Sequence, residues 1–314
     1  MFRYLILVIG TLLVTGILKA QTVSDDQLIS TPEEVQYYTY QWEGERFPDG
    51  RPRVPDELLE RLKEIRLEDA WQYLHELGYR NQYEGGWKKL HEDQPMVGRV
   101  LTALYSPERP DIQERLYEEG MKAGHVGPMN TWPIDRLQKG DVYLADSYGK
   151  IAQGTLIGSN LGTSIFSRSG NGVIFNGSAR DAEDLEEIEG FNAFVRDWHP
   201  SFLEETMLMG INVPIRIGGV TVMPGDVVLA KKGGVVFIPP HLVEHIVVTA
   251  EIVNLRDEFA QQRMQEGVYT AGQIDTEWAR EIEEDFLDWV QDGRMDRLPV
   301  SLEQMQDFLE LRTW

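Results

Sequence analysis

Gly140-Asp-Val-Tyr-Leu-Ala145, the segment from about Ser159 to Ser169, and Gly172-Val-Ile-Phe175 together decide the fold class. Each apolar run is short, suited to a pleated strand and entered through a glycine turn. The segment between them has helical length, so the centre of the chain reads strand, helix, strand, an α/β arrangement. Upstream, Val100-Leu-Thr-Ala-Leu-Tyr105 is apolar on both faces apart from Thr102, as a buried strand requires. Downstream, Asn212-Val-Pro-Ile215 is followed by Gly218-Gly-Val-Thr-Val222. Pro224-Gly-Asp226 then leads into Val227–Ala230, and Gly233-Gly234 into Val235–Ile238. Closely spaced β-branched runs with Gly and Asp turns are meander material, so the second half is rich in strand.

The flanks read differently. Residues 21–55 form an N-terminal arm, polar and aromatic (Tyr37, Tyr38, Tyr40, Trp42, Phe47), with no sustained period. Asp56 is placed to cap a helix through Leu58, Leu59, Leu62 and Ile65. A second helix, Leu67 to Leu77, sets Ala70, Trp71, Leu74 and Leu77 on one face and stops at Gly78. Ile112 to Gly124 is a further helix. After Pro239 the chain is mostly helical, with helices expected over His241–Ala260, Thr276–Asp292 and Ser301–Leu311. Trp278, Ile282, Phe286 and Trp289 share one stripe, which reads as core or interface rather than a sugar platform. The domain plan is a central domain over residues 56–250 and a C-terminal helical extension over 251–314.

At the N-terminus, Arg3 precedes an apolar run from Leu5 to Leu18, and Lys19, Ala20 and a polar stretch follow. The run is short for a membrane span, so residues 1–20 read as a signal peptide. The protein is then expected to be exported, periplasmic or secreted, with no stable membrane span after cleavage. Lys19 so near the cut leaves an uncleaved anchor as the alternative.

Composition narrows the chemistry. The 314 residues include 30 Lys and Arg against 52 Asp and Glu, a net charge of −22. Such a surface repels phosphate backbones and argues against nucleic acid as a partner. With no cysteine, thiol nucleophiles, disulfides, iron–sulfur clusters and Cys-ligated zinc are excluded.

Two constellations could carry chemistry. In the first, Gly154-Thr-Leu-Ile-Gly158-Ser-Asn-Leu161 enters a helix, and Gly172-Val-Ile-Phe-Asn-Gly-Ser-Ala-Arg-Asp181 follows it, ending in Ala182, Glu183 and Asp184. A glycine turn entering a helix exposes backbone N–H groups to an anion. An Arg beside an Asp can hold an anionic ligand with one residue and a cation with the other. Equally, Asp181 could cap the next helix and leave Arg180 in solvent. The second constellation, His241-Leu-Val-Glu244-His245, matches the H-x-x-E-H pattern of a zinc peptidase, with a helix start after Pro239-Pro240 as the plainer account.

These segments resemble the RraA-like family, which includes the regulator of ribonuclease activity A and the 4-hydroxy-4-methyl-2-oxoglutarate aldolases. The resemblance covers roughly Leu67 to Ala250. It rests on the order and spacing of Gly140–Asp146, Gly158–Leu161, Gly172–Asp181, Asn212–Ile215, Gly218–Asp226 and Gly233–Val236. It implies a swivelling β/β/α domain that forms a homotrimer or hexamer, with sites at subunit interfaces. For the aldolase members it implies a retro-aldol reaction that releases pyruvate and depends on Mg²⁺ or Mn²⁺. Carried over, Arg180 binds the substrate carboxylate and Asp181 holds the metal. Asp184 supports the metal's water, and the backbone amides of Gly158, Ser159, Asn160 and Leu161 hold the oxo acid. The family also carries a demethylmenaquinone methyltransferase label, but no G-x-G-x-x-G follows a strand here.

One residue departs from the pattern. Aldolase members carry an Asp twenty-one positions before the Arg, where this chain has Ser159. Serine can hold a water but is no base near neutral pH. A Schiff-base route would need Lys150, Lys231 or Lys232, and nothing in the sequence marks one as buried. The leading expectation is an exported, metal-dependent lyase that cleaves or decarboxylates a 4-hydroxy-2-oxo acid or related oxo acid. A non-catalytic, ring-forming binding or regulatory protein is the alternative. A zinc peptidase and a ribonuclease inhibitor stand behind them.

Overall fold

The computed structural model describes residues 26–294. The apolar run at residues 5–18 and the helix expected over Ser301–Leu311 lie outside that range.

The long strand Met96–Pro107 organises the sheet. On one side it pairs in parallel with Asp141–Asp146, which pairs with Val173–Ala179, which pairs with Ala193–Trp198. On the other side its first residues pair antiparallel with Val227–Lys231, which turns back into Gly234–Ile238. Its second half also takes Thr206–Ile211 antiparallel, across a register shift at Leu104 and Tyr105. The helix between the parallel strands spans Ser159–Ser169, the span expected from the sequence. Gly172 is needed where the chain re-enters the sheet, because a Cβ there would lie 1.7 Å from the Asn192 carbonyl oxygen.

Side-chain alternation then sorts the core. Tyr143, Ala145, Val173 and Phe175 face the Ser159–Ser169 helix. Val142, Leu144, Ile174 and Phe194 face the other way, against Val228, Ala230, Val235 and Phe237 from the antiparallel half and against the hairpin Ile215–Ile217 with Val220–Val222. Leu229, Val236 and Ile238 turn outward onto the helices Asp56–Leu62, Leu67–Glu76 and Val243–Gln265. The two halves of the sheet thus share an inner layer and carry helices outside, the expected α/β class with β/β/α layering.

Several local expectations are corrected. Asp56 is the first helical residue and not the cap; Pro55 holds that position, and Asp56 accepts a 2.8 Å hydrogen bond from Arg99. On Leu67–Glu76 the buried stripe is Leu67, Ala70 and Leu74, while Trp71 and Leu77 face water and Trp71 stacks on His75. The strand after Gly172 runs beyond Phe175 to Ala179, with a register shift between Phe175 and Ser178. His241 lies in a 3-10 turn, Pro240–Leu242, ahead of the helix Val243–Gln265.

The arm packs on its own chain. Leu28 joins the main core, and Arg51 is buried with ion pairs to Asp141 at 2.9 Å and Asp49 at 2.8 Å. Beyond the domain, Leu255 and Phe259 of the long helix meet Trp278, Ile282, Phe286 and Trp289. The aromatic stripe therefore forms a satellite core within the chain. Among the described residues, no helix is long and apolar enough to cross a membrane.

Asp226 gives this fold a pH dependence. Its carboxylate accepts from the Met223 N–H at 2.9 Å, and burial pushes it up to about 7. A carboxyl whose folded value lies above its unfolded one favours the native state while protonated and loses that advantage as pH rises. Stability should therefore fall between about pH 4 and about pH 7, by up to roughly 1.4 kcal/mol per pH unit. Asp226→Asn should flatten this slope in urea unfolding across that range; an unchanged slope would assign the dependence to other groups.

Candidate active site

The site forms where the strand Val173–Ala179 ends. The preceding segment, 155–158, runs beside that end. Thr155 bridges Ser178, the Leu156 N–H donates to the Ser178 carbonyl at 3.0 Å, and the Arg180 N–H donates to the Ile157 carbonyl at 3.1 Å. Asn130 holds the same segment by donating to the Leu156 carbonyl at 2.8 Å. This zipper brings Gly158, the residue before the Ser159–Ser169 helix, against Arg180 and Asp181. A Cβ on Gly158 would lie 2.3 Å from the Asp181 carboxylate and 3.0 Å from Arg180 Nε.

Asp181 decides between the two readings of the Arg-Asp pair. It stands at the start of Ala182–Glu186 but makes no side-chain cap there. Its backbone is left-handed, φ 59 and ψ 44, which Asp tolerates better than most residues. That turn aims the carboxylate at the other helix, where Oδ2 accepts the Ser159 N–H at 3.1 Å. Among the described residues nothing accepts from the N–H groups of Asn160 and Leu161, the remaining donors of the first helical turn before Gly162 bonds back to the Gly158 carbonyl. Arg180 is not left in solvent. Its side chain is about one-third exposed, at 32%, with Nε 3.8 Å from Asp181 Oδ2 and its guanidinium 4.7 Å from the centre of the Phe202 ring.

These groups line a cleft of about 380 Å³, walled by Pro128, Asn130, Thr155 to Leu161, Arg180, Asp181, Phe202 and Leu203. Of the residues expected at the site, Gly158, Ser159, Asn160, Leu161, Arg180 and Asp181 come together. Asp184 does not line the cleft; it is exposed in the first turn of Ala182–Glu186. Phe202, Leu203 and Asn130 were not legible, since they lie in loops distant in sequence with no periodic pattern.

Among the described residues, Arg180 and Asp181 are the only titratable side chains on this wall. Lys150, Lys231 and Lys232 do not line it; Lys150 instead donates to the Glu204 carbonyl at 2.6 Å. The residues present fit a hard cation that keeps most of its waters and needs only one or two carboxylates. Asp181 faces the cleft, and Oδ2 is its hydrogen-bonded oxygen. Among the described residues, no group of three or more His, Cys, Asp or Glu could hold a metal. That runs against a zinc site at His241 and His245, and His241 contacts the Tyr79 hydroxyl at 3.4 Å.

The family model described as RraA-like, Aldolase/RraA, matches residues 55–237. The chain therefore belongs to the RraA-like family. It is 31% identical over 144 residues to a 4-hydroxy-4-methyl-2-oxoglutarate aldolase of Thermus thermophilus, covering 46% of this chain and 75% of that one. It is 29% identical over 96 residues to the uncharacterised protein MJ0644 of Methanocaldococcus jannaschii, covering 31% of this chain and 46% of that one. Among solved structures it resembles RraAS2 of Streptomyces coelicolor, described as an unusual member of the RNase ES inhibitor RraA protein family. That likeness has a TM-score of 0.57 at 27% identity and covers 67% of this chain and all of that one.

Proposed function

We propose that this protein is a divalent-metal-dependent lyase acting on a 4-hydroxy-2-oxo acid. The observation that carries the reading is one cleft in which the Arg180 guanidinium, the Asp181 carboxylate and the free amides of Asn160 and Leu161 converge. In this reading the guanidinium pairs with the substrate carboxylate at two points, and the helix amides hold the oxo acid. Asp181 would hold Mg²⁺ or Mn²⁺, whereas Asp184 lies outside the cleft and takes no part at the ion. The bound ion would supply Lewis-acid stabilisation of negative charge on the C2 oxygen. The C4 hydroxyl gives up its proton and becomes a carbonyl as the C3–C4 bond breaks. The bonding pair passes into the C2–C3 enolate, and a proton returned to C3 completes pyruvate. The Ser159 hydroxyl orients the water that takes the first proton, since it cannot take that proton itself. The protein acts after export, as a homotrimer or hexamer.

Pyruvate release from a panel of hydroxy-oxo acids, with and without Mg²⁺ or Mn²⁺, tests the reading; no release from any member would remove it. Ser159 favours a second reading, a binding protein that kept the fold and lost the chemistry. Ser159→Asp separates the two. A weakened lyase should gain turnover, with oxalate affinity held within a few-fold. In a binding protein the new charge beside Asp181 should add no turnover and should weaken anion binding. A wild-type turnover destroyed by Ser159→Asp would instead mark serine as the adapted residue.

A further inference from the structure

We infer that the far end of the substrate is a neutral, hydroxyl-bearing chain rather than a second carboxylate. This deepens the oxo-acid reading above and rests on it.

A second, larger cleft of about 520 Å³ adjoins the Arg180 cleft, and Pro128, Asn130 and Leu203 belong to both walls. A ligand whose carboxylate sits on Arg180 can therefore run past Asn130 into the second space. That space has the opposite electrostatic character from the first. Among the described residues its walls carry Glu108, Glu204 and Glu205 and no Lys, Arg or His. The Lys150 ammonium lies at its edge, donating to the Glu204 carbonyl and, at 3.4 Å, to Thr206 Oγ1, so three carboxylates face one cation and the space keeps a net negative charge. Arg109 pairs with Asp111 at 2.7 Å, and the Glu204 carboxylate accepts from Gln153 Nε2 at 2.6 Å through one oxygen.

A wall of acceptors needs donors. Carboxylates only accept, whereas each ligand hydroxyl brings a proton. A second ligand carboxylate would bring acceptors to acceptors and negative charge to negative charge, which selects against it. The substrate class that fits both clefts is a 4-hydroxy-2-oxo acid with a polyhydroxylated tail, a 2-oxo-3-deoxy sugar acid. The three carboxylates are exposed and screened, so the discrimination should be about tenfold rather than thousandfold.

Two uncleavable probes of equal chain length test this, 2-oxoadipate and 6-hydroxy-2-oxohexanoate. Calorimetry on the whole protein with Mg²⁺ would include oxalate as the short reference. The hydroxyl probe should bind about tenfold more tightly than 2-oxoadipate. In the triple variant Glu108→Gln, Glu204→Gln, Glu205→Gln the ratio should fall to within about twofold, with oxalate affinity unchanged. Equal or tighter binding of 2-oxoadipate to the wild type would overturn the inference. So would a ratio that the triple variant leaves unmoved, including the case where that variant shifts only the oligomeric mass. If oxalate fails to bind, or binds equally well after Arg180→Ala, the oxo-acid reading falls and takes this inference with it. If oxalate binding depends on Arg180 and the probe ratio is reversed, the specificity inference alone is wrong.

Discussion

Arg180→Ala is expected to weaken oxalate binding by roughly 2–5 kcal/mol, toward the lower end, while leaving the melting temperature close to that of the wild type. The upper end belongs to a charge pair fully removed from water, and the Arg180 side chain keeps 32% of its surface exposed. The fold should tolerate the loss. The guanidinium makes no short side-chain hydrogen bond that a folded neighbour depends on, and its principal contact is the exposed Phe202 ring at 4.7 Å. Arg180→Lys should recover only part of the affinity, because an ammonium cannot make the planar two-point contact with a carboxylate or stack as well on an aromatic face. Calorimetric titration of the two variants, with thermal melts as the control for folding, reads both effects. Oxalate affinity unchanged in Arg180→Ala would mean that the anion sits elsewhere.

Legibility in the sequence followed the range of the interactions involved. The Ser159–Ser169 helix and the strands flanking it were readable because glycine turns and β-branched runs are local signals. Trp71 was misassigned because the helical period alone allows it a buried face. The stripe that packs is instead chosen by the contact with Val243–Gln265, a segment far away in sequence. The H-x-x-E-H spacing presumed one continuous helix, and Pro240 makes its start a 3-10 turn. At the site, the Arg-Asp pair was visible as residue types, but its orientation was not. Whether Asp181 caps its own helix or reaches the neighbouring one depends on a left-handed backbone angle that Asp permits without requiring it. Phe202 carried no signal at all, because a single aromatic residue in a loop acquires meaning only when the sheet brings it over Arg180.

That backbone angle sets the terms of the second large effect. Asp181→Asn and Asp181→Ala should both abolish Mn²⁺ binding, yet differ in stability. The carboxylate has two separable roles, supplying charge to a hard cation and accepting the Ser159 N–H at 3.1 Å. Asparagine keeps an acceptor of the same shape and also tolerates φ 59, so only the charge is lost. Alanine loses the acceptor too, leaving a helix N–H unpaired in a partly buried cleft, and is less at ease in the left-handed region. Together these should cost about 1–3 kcal/mol of stability. His245→Ala should leave Mn²⁺ binding intact, since imidazole suits softer ions and His245 is exposed on the other helical layer. Titration with Mn²⁺ and urea unfolding on the three variants separate the roles. Should Mn²⁺ still bind to Asp181→Asn and vanish with His245→Ala, the ion belongs to the histidine helix and Asp181 is only a structural cap. Should Asp181→Ala match Asp181→Asn in stability, the contact to Ser159 contributes nothing to the fold, and the carboxylate is held in place for the ligand alone.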